Sequence, residues 1–253
     1  MKPQIGLQLY SLRDQFAEDF SATLQRVADM GYKGVETAFF SDNITPKEAR
    51  QRFDDLGLIV VSAHCPLPLG ETQDFTLSLL DDLGCNRAIW HGWPQDERYS
   101  RLEGVRELAD VYNAANAVAQ SQGIRLGLHN HWWEFEPVES LLPYDILRSL
   151  LHPDIFFELD TYWIQTAGRN PVAVVGEAGV RAPLLHIKDG PATRNDDMVE
   201  LGAGTLDIPS IVQASQNNAE WLIVEMDSCA GDIFEALERS YRYLTENELA
   251  TGE

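Results

Sequence analysis

The 253-residue sequence predicts a single (β/α)₈ barrel, and three observations support this prediction. Short β-type segments recur roughly every 25–40 residues, eight in all, with helical patterns between them. Most segments are apolar along their whole length, as strands buried on both faces of a parallel sheet are. Regular alternation of strand and helix over about 250 residues fits one closed barrel. The alternative is a doubly wound open sheet, but no Gly-rich phosphate fingerprint follows the first strand.

The eight predicted strands each supply one hydrophobic residue to the expected core. In chain order the segments are IGLQLY, GVETA, LIVVSAHC, RAIWHGW, RLGLHNH, IFFELD, LLHIKD and WLIVEMD. The corresponding core residues are Ile5, Val35, Val60, Ile89, Leu126, Phe157, Leu185 and Ile223. We expect the barrel to extend from about residue 4 to residue 245. Because no linker or composition break interrupts the pattern, residues 1–253 are expected to form one domain.

Three of the predicted helices carry start and stop signals. A Ser, Thr or Asp at the N-cap precedes a Glu three residues later, and in two cases Gly follows the end of the apolar pattern. These signals are Thr45, Pro46, Glu48 and Gly57 for one helix, Ser100, Glu103 and Gly123 for a second, and Asp232 with Glu235 for the last.

Charge and composition exclude several classes of function. With 19 Lys and Arg against 40 Asp and Glu, the formal net charge is −21, which repels phosphates, so no nucleic acid partner is expected. No apolar run reaches the roughly 18–20 residues of a membrane span, and the start lacks an export-signal pattern. Three scattered cysteines suit a reducing cytoplasm. We therefore expect a cytoplasmic protein without a membrane partner.

Polar residues collect at the carboxyl ends of the predicted strands, where the chemistry of such a barrel is located. Five of the six histidines lie there, and only His152 does not. The strand-end residues are Tyr10, Glu36, His64, Trp90, His91, His129, Asn130, His131, Glu158, Asp160, His186, Lys188, Asp189, Glu225 and Asp227. Histidines scattered at random would not concentrate on one rim, so the pattern indicates a functional site.

Asp160, His186 and Glu225 end three consecutive strands, each after an apolar run. Burying a carboxylate or an imidazole there is costly without a partner, and two crowded carboxylates repel each other. One divalent cation removes both problems, and mixed His and carboxylate ligation suits Mn²⁺, Mg²⁺, Co²⁺ or Zn²⁺. A purely structural polar network is the alternative.

Lys188 follows His186 by two positions, so both side chains face the same side of the strand. An ammonium beside a metal would stabilise an oxyanion or protonate a leaving oxygen. The alternative is an ion pair with Asp189 or a neighbouring acid.

Tryptophans of WHGW and HWWEF would wall a sugar-sized pocket, although core packing explains any one of them equally well. The residues expected to contact substrate are Glu36, His64, His91 and Trp133.

Seven segments in register resemble the sugar phosphate isomerase/epimerase family of the xylose-isomerase-like TIM barrel superfamily. They are IGLQLYSLRD, GYKGVE, GLHNHWWEFEP, ELDTYWIQTAG, LLHIKDG, LGAGTLD and IVEMD. The resemblance implies a (β/α)₈ TIM barrel with one divalent metal ion held at the ends of strands five to eight. It also implies a small sugar, keto-sugar or polyol-derived substrate and a possible homo-oligomer.

Carried over to this chain, the family pattern places metal ligands at Asp160, His186 and Glu225. The ligand on the fifth strand is often Glu in the family, whereas His129 occupies that place here. Glu134 lies five residues further on and is the other candidate, folding back to the metal. The chain therefore departs from ketose epimerases in which two opposed glutamates exchange the substrate proton.

The resulting functional prediction is a metal-dependent isomerase or epimerase that abstracts a proton next to a carbonyl and forms an enediolate. Glu225 and His131 are the expected proton-transfer residues, with Lys188 as a third catalytic group. The alternative is a dehydratase or β-eliminating lyase on an inosose or 3-keto-sugar, and a second alternative is a non-catalytic sugar-binding barrel. Endonuclease IV shares the barrel, but Trp163 replaces a metal-binding His of that branch.

Overall fold

The eight predicted strands form a closed parallel barrel in sequence order, with β8 paired to β1. The computed structural model describes residues 2–40 and 44–252. The strands are β1 Gln4–Gln8, β2 Gly34–Thr37, β3 Ile59–His64, β4 Arg87–Trp90, β5 Arg125–His129, β6 Phe156–Asp160, β7 Leu184–Ile187 and β8 Trp221–Val224. The predicted single (β/α)₈ TIM barrel is therefore confirmed.

Helices connect the strands on the outside of the barrel. They are α1 Arg13–Glu18, α2 Phe20–Asp29, α3 Pro46–Asp55, α4 Gln73–Leu83, α5 Leu102–Ser121, α6 Pro143–Leu150, α7 Thr161–Thr166, α8 Pro171–Ala178, α9 Ile208–Ala214 and α10 Ile233–Glu246. Among residues 2–40 and 44–252, no helix combines the length and apolar character that crossing a membrane requires. The long connection from β7 to α9 contains no helix in the described chain.

Two of the three predicted helix starts are confirmed. At the start of α3, the Glu48 backbone N–H donates to Thr45 Oγ1, and the Thr45 backbone N–H donates to Glu48 Oε2 at 2.9 Å. This reciprocal pair is the predicted capping box. At the start of α10, Asp232 Oδ1 accepts the backbone N–H groups of Phe234 and Glu235.

The predicted N-cap of the helix after β4 is wrong. α5 begins at Leu102, and its N-cap is Arg101, whose side chain caps no described backbone N–H. Ser100 ends a preceding 3₁₀ turn, and its hydroxyl donates to the Glu97 carbonyl at 2.6 Å instead. At the other end of α5, the predicted Gly123 has a left-handed φ of 72° after the last helical turn.

The lower part of the barrel interior is apolar. Phe156, Leu184 and Ile223 each lie two residues before a polar strand residue and therefore face the same side of their strands. Together with neighbours from the other strands they form a separate buried cluster, which comprises Val61, Ile89, Phe156, Leu184, Trp221 and Ile223. We call this cluster the apolar floor. It closes the barrel below the polar residues.

Seven of the eight predicted strand core residues are buried, and Val60 is only partly so. The first two residues of β3, Ile59 and Val60, lie at the exposed amino end of that strand. Burial on β3 begins with Val61, which belongs to the apolar floor.

Gly127 on β5 leaves room for the apolar floor, so we predict that Gly127→Ala destabilises the barrel. A Cβ at this position would lie 2.5 Å from the Phe156 ring and 2.7 Å from Ile89 Cδ1. We expect the free energy of unfolding in urea to fall by about 1–3 kcal/mol. Gly6→Ala on β1 is the matched control, because its Cβ would meet neighbours at ordinary distances of 3.5–3.6 Å. Equal losses in the two variants would contradict a tightly packed floor.

Candidate active site

Glu36 lies inside the barrel rather than at its mouth, with none of its surface exposed. Its Oε1 accepts from Gln8 Nε2 at 2.7 Å and lies 2.6 Å from His186 Nε2, and the Ser62 hydroxyl donates to its Oε2. Although burial acts to raise the pKa of Glu36, His64 and His186 lower it well below its usual range. Glu36 is therefore an ionised carboxylate that holds the surrounding side chains in place.

Three imidazoles surround one oxygen of Glu158, which is also fully buried. Glu158 Oε2 lies 2.7 Å from His64 Nε2, 3.1 Å from His129 Nδ1 and 3.2 Å from His186 Nε2. In the described part of the chain, the other oxygen, Oε1, has no hydrogen-bond partner. Burial is the main cause that raises the pKa of Glu158 well above its usual range, and the negative charge of neighbouring Glu36 raises it further. We call His64, His129 and Glu158 the deep group.

Lys188 occupies the centre of a cluster of carboxylates above the deep group. Its Nζ lies 2.9 Å from Asp160 Oδ2, 2.7 Å from Glu225 Oε2 and 2.7 Å from Asp227 Oδ2. Burial acts to lower the pKa of Lys188, but these carboxylates raise it well above its usual range. Burial acts to raise the pKa of Glu225, but Lys188 and His186 lower it. At neutral pH the cluster therefore holds an ammonium and an ionised Glu225.

The structure brings Asp160, His186 and Glu225 together, with one potential ligand atom of each within 4.8 Å of the others. His186 Nδ1 lies 2.8 Å from Glu225 Oε2. Asp160 Oδ2 is buried and forms no aligned hydrogen bond with any described residue, and the Lys188 ammonium lies 2.9 Å from it, so a cation that binds this oxygen would replace Lys188 there. The mixed nitrogen and oxygen donors fit a divalent metal. We call these three residues the upper group. A metal bound there would compete with Lys188 for the carboxylates of Asp160 and Glu225.

The two candidate fifth-strand ligands lie in different places. His129 Nε2 lies 3.8 Å from Asp160 Oδ2, next to the upper group. Glu134 Oε2 instead accepts the backbone N–H of His131 at 2.9 Å, within a 3₁₀ turn over Trp133–Phe135. Glu134 is thus held by the turn and is not brought into the upper group, so the geometry favours His129.

His131 presents an unpartnered imidazole nitrogen beside the cluster. Its ring stacks on Trp133, with ring centres 4.3 Å apart and an interplanar angle of 11°. Nδ1 is buried and has no hydrogen-bond partner among residues 2–40 and 44–252. Burial, with Lys188 in addition, lowers the pKa of His131 well below its usual range. The imidazole is therefore neutral and able to accept a proton.

The four residues predicted to contact substrate lie at different depths. Glu36 is fully enclosed, and His64, in the deep group, and Trp133 are buried. His91 is partly exposed at the mouth, where its Nδ1 accepts the Trp93 backbone N–H at 3.0 Å. Burial, together with His64, lowers the pKa of His91 to about 4. His91 is thus the member of this set that a sugar at the mouth would meet first.

An aromatic wall borders the mouth on the β4–β6 side. Its rings contact one another with centres 4.3–6.5 Å apart, and they are Trp93, His131, Trp132, Trp133 and Trp163. Lys188 Nζ lies 5.4 Å from the centre of the Trp163 ring, so the wall reaches the carboxylate cluster. Apolar faces of a sugar would pack against such rings.

Glu158 and Asp227 belong to the site, although the sequence indicates them only as strand-end residues and predicts no role for them. Glu158 precedes Asp160 by two positions, and Asp227 follows Glu225 by two, so each faces the barrel interior like its neighbour. That spacing is the signal that would have identified them. Asp189, a predicted ion-pair partner of Lys188, instead accepts backbone N–H groups from the connection after β7, including Gly202 and Leu206.

Comparisons with known proteins agree with this architecture. The sequence model of the xylose isomerase-like TIM barrel family matches residues 24–246. None of the curated proteins is significantly similar in sequence to this chain.

Several solved structures superimpose on nearly the whole chain. A sugar phosphate isomerase/epimerase from Parabacteroides distasonis has a TM-score of 0.82 and 23% identity, covering 98% of this chain and 100% of that chain. An L-ribulose 3-epimerase has a TM-score of 0.71 and 19% identity, with coverage of 98% and 94%. The probable 3-DHS dehydratase AsbF from Bacillus anthracis has a TM-score of 0.70 and 16% identity, with coverage of 96% and 98%. At these identities the likeness establishes the fold.

Removing the Lys188 ammonium should make folding depend on a divalent cation. In the presence of a metal chelator, we expect the free energy of unfolding of Lys188→Met to be about 3–5 kcal/mol lower than that of the wild type, because the buried carboxylates lose their counter-ion. Added Mn²⁺ should then raise the melting temperature of the variant more than that of the wild type. Lys47→Met, at an exposed position of α3, is the control. Equal stabilisation of wild type and Lys188→Met by Mn²⁺ would contradict competition for the same oxygens.

The buried Glu134 should make stability fall with rising pH. Burial raises its pKa from about 4.5 to about 8, so its contribution is complete below about pH 4.5 and lost as pH rises through about 8. Between about pH 5 and pH 8, we expect the wild type to lose on the order of 2–4 kcal/mol more than Glu134→Gln in urea titrations. Glu246→Gln, exposed at the end of α10, should behave as the wild type. Parallel pH profiles for wild type and Glu134→Gln would refute this.

Proposed function

Since the chain belongs to the xylose isomerase-like TIM barrel family, we propose that it is a divalent-metal-dependent sugar isomerase or epimerase. It would act on a small sugar or keto-sugar by proton abstraction next to a carbonyl. The observation that carries this proposal is the upper group, Asp160, His186 and Glu225, within reach of Lys188 and beneath an aromatic wall. The printed names of two structural neighbours, an isomerase/epimerase and a ketose epimerase, support the same reaction class.

In this proposal, Asp160, His186 and Glu225 hold the metal, and His129 is the additional candidate ligand. When bound, a divalent ion such as Mn²⁺, Mg²⁺, Co²⁺ or Zn²⁺ supplies a Lewis acid that polarises the substrate carbonyl and stabilises negative charge on its oxygen. His186 fits this role because Glu36 lies 2.6 Å from its Nε2 and fixes the ring, leaving Nδ1 directed at Glu225.

In this proposal, two groups of this chain move the substrate proton. Glu225 is ionised, and the unpartnered Nδ1 of His131 is a second acceptor. They come from opposite parts of the barrel mouth, because Glu225 directly follows β8 and His131 lies just after β5. Removal of the proton by one group and its return by the other would invert the substrate carbon, and its return to the next carbon would give isomerisation.

Lys188 supplies positive charge and a donor proton to substrate oxygen. Its ammonium is enclosed by carboxylates, which keep it protonated at neutral pH. Asp227, whose side chain is about one-third exposed at 34%, holds Lys188 from the side of the mouth. In this proposal, the contact holds the ammonium on the side of the upper group from which substrate would enter.

Lys188 also supports the second candidate function, a dehydratase or β-eliminating lyase acting on an inosose or 3-keto-sugar. In that reaction a base takes the proton beside the carbonyl, the C–O bond on the next carbon breaks, and Lys188 Nζ gives a proton to the departing oxygen to form water. The presence of His129 rather than Glu on β5 favours this alternative, because the second glutamate of a two-glutamate epimerase is missing at that position.

The test is a panel of ketoses and 3-keto-sugars incubated in deuterated water with Mn²⁺-loaded protein. For an isomerase or epimerase, we expect deuterium in the product without a loss of water, and for a dehydratase a product lighter by one water. Glu225→Gln and His131→Ala should each slow the exchange by about 100-fold or more.

His152→Ala is the matched control, because His152 is an exposed histidine remote from the barrel mouth. It should exchange at the wild-type rate. If both Glu225→Gln and His131→Ala also exchange at the wild-type rate, the proposed roles of these residues are wrong. If no substrate in the panel takes up deuterium or loses water, the proposed reaction class is wrong.

A further inference from the structure

We propose that the barrel contains a second divalent-cation site, formed by the deep group His64, His129 and Glu158. It lies on the apolar-floor side of the upper group and uses none of Asp160, His186 and Glu225. His129 would bind it through Nδ1, whereas its other nitrogen, Nε2, faces Asp160. It would take a transition metal such as Zn²⁺ or Co²⁺. This inference does not depend on the metal proposed for the upper group.

The arrangement of donor atoms is the first argument. Nitrogen atoms of three histidines approach Glu158 Oε2 at 2.7–3.2 Å, from His64, His129 and His186. One carboxylate oxygen offers about two lone-pair positions, and the imidazoles of His64 and His129 are hydrogen-bonded to it, whereas His186 Nε2 is hydrogen-bonded to Glu36. Potential ligand atoms of these four residues lie within 4.8 Å of one another. Imidazole nitrogens converging with one carboxylate are a donor set typical of zinc sites in proteins.

Burial and charge are the second argument. Glu158 and Glu36 are both fully enclosed, and an oxygen of each lies within 3.2 Å of both His64 Nε2 and His186 Nε2. Among the described residues, Glu158 Oε1 has no hydrogen-bond partner, which is unusual for a carboxylate oxygen at this depth. A cation bound by Glu158 would take the place of the proton that burial favours on this carboxyl group and would balance its negative charge beside Glu36.

His186 links the two groups without preventing occupancy of both. Its Nδ1 is directed at Glu225 in the upper group, and its Nε2 lies 2.6 Å from Glu36. When Nδ1 serves the upper group, Nε2 carries the proton and donates it to Glu36. The deep group then retains three ligands, His64 Nε2, His129 Nδ1 and Glu158, with a fourth position open.

The two groups should differ in metal preference, because their donors differ. The upper group offers two carboxylates and one imidazole, which suits Mn²⁺ or Mg²⁺. The deep group offers two imidazoles and one carboxylate, which suits Zn²⁺ or Co²⁺. His64 and His129 retain a small exposed fraction, 8% and 6%, so the deep group borders the mouth through which a cation would enter.

The experiment is a titration of the chelator-treated, full-length protein with Co²⁺, followed by visible absorption and by calorimetry. We expect two equivalents to bind the wild type, and the nitrogen-rich, low-coordinate deep site to produce the stronger visible bands. His64→Ala and Glu158→Gln should each lose one equivalent together with these bands. Glu225→Gln should lose the other equivalent and keep the bands, and the surface variant His152→Ala should keep both equivalents.

The outcomes separate this site from the upper group. One equivalent that disappears in Glu225→Gln but persists in His64→Ala and Glu158→Gln overturns the deep site and leaves the proposed function intact. One equivalent that disappears in His64→Ala and Glu158→Gln but persists in Glu225→Gln supports the deep site. The same result contradicts a metal site in the upper group. Binding of no cobalt overturns both. Glu158→Gln preserves side-chain shape, and circular dichroism of each variant verifies that a lost equivalent reflects a lost ligand rather than unfolding.

Discussion

The cost of burying negative charge governs the interior of this barrel. Glu36, Glu158, Asp160 and Glu225 lie at or near zero exposure, where an unpaired carboxylate would be strongly destabilising. Each of them lies 2.6–2.9 Å from an imidazole or from the Lys188 ammonium. Removing the Lys188 ammonium would leave Asp160 and Glu225 without this charged partner where water does not reach them. The same requirement that makes the folded state sensitive to these residues makes the interior receptive to metal cations.

The barrel topology allows these charges to meet. Closure of eight parallel strands directs every second side chain into one narrow interior, and the apolar floor fills its lower part. Polar residues two positions further along the same strands then lie above that floor, as His186 follows Leu184 and Glu225 follows Ile223. Water is excluded from below, so electrostatic interactions above the floor are stronger than at an open surface. Catalytic acid–base chemistry uses this property.

The sequence predicts features that follow from the residue pattern of a single strand. It does not predict how deep in the barrel a side chain lies. Strand number and order follow from apolar runs and are correct, and the convergence of Asp160, His186 and Glu225 follows from three consecutive strand ends. The depth of Glu36 inside the barrel does not follow from these patterns. It depends on how neighbouring strands are staggered, and the sequence of a single strand does not encode that stagger. Glu134 illustrates a third case: a 3₁₀ turn directs its carboxylate to the His131 backbone, and that turn is too short to leave a periodic signal.

The proposed function requires Lys188 to serve both as a structural counter-ion and as a catalytic group, and its two kinds of partner are compatible with both roles. Asp160 and Glu225 belong to the upper group, whereas Asp227 lies outside it and is partly exposed. A divalent cation in the upper group would take over the charge balance of Asp160 and Glu225 and release Lys188 from them. Asp227 would then retain the ammonium at the mouth, where substrate oxygen enters. Cation binding and the positioning of a proton donor are thereby coupled through a single side chain.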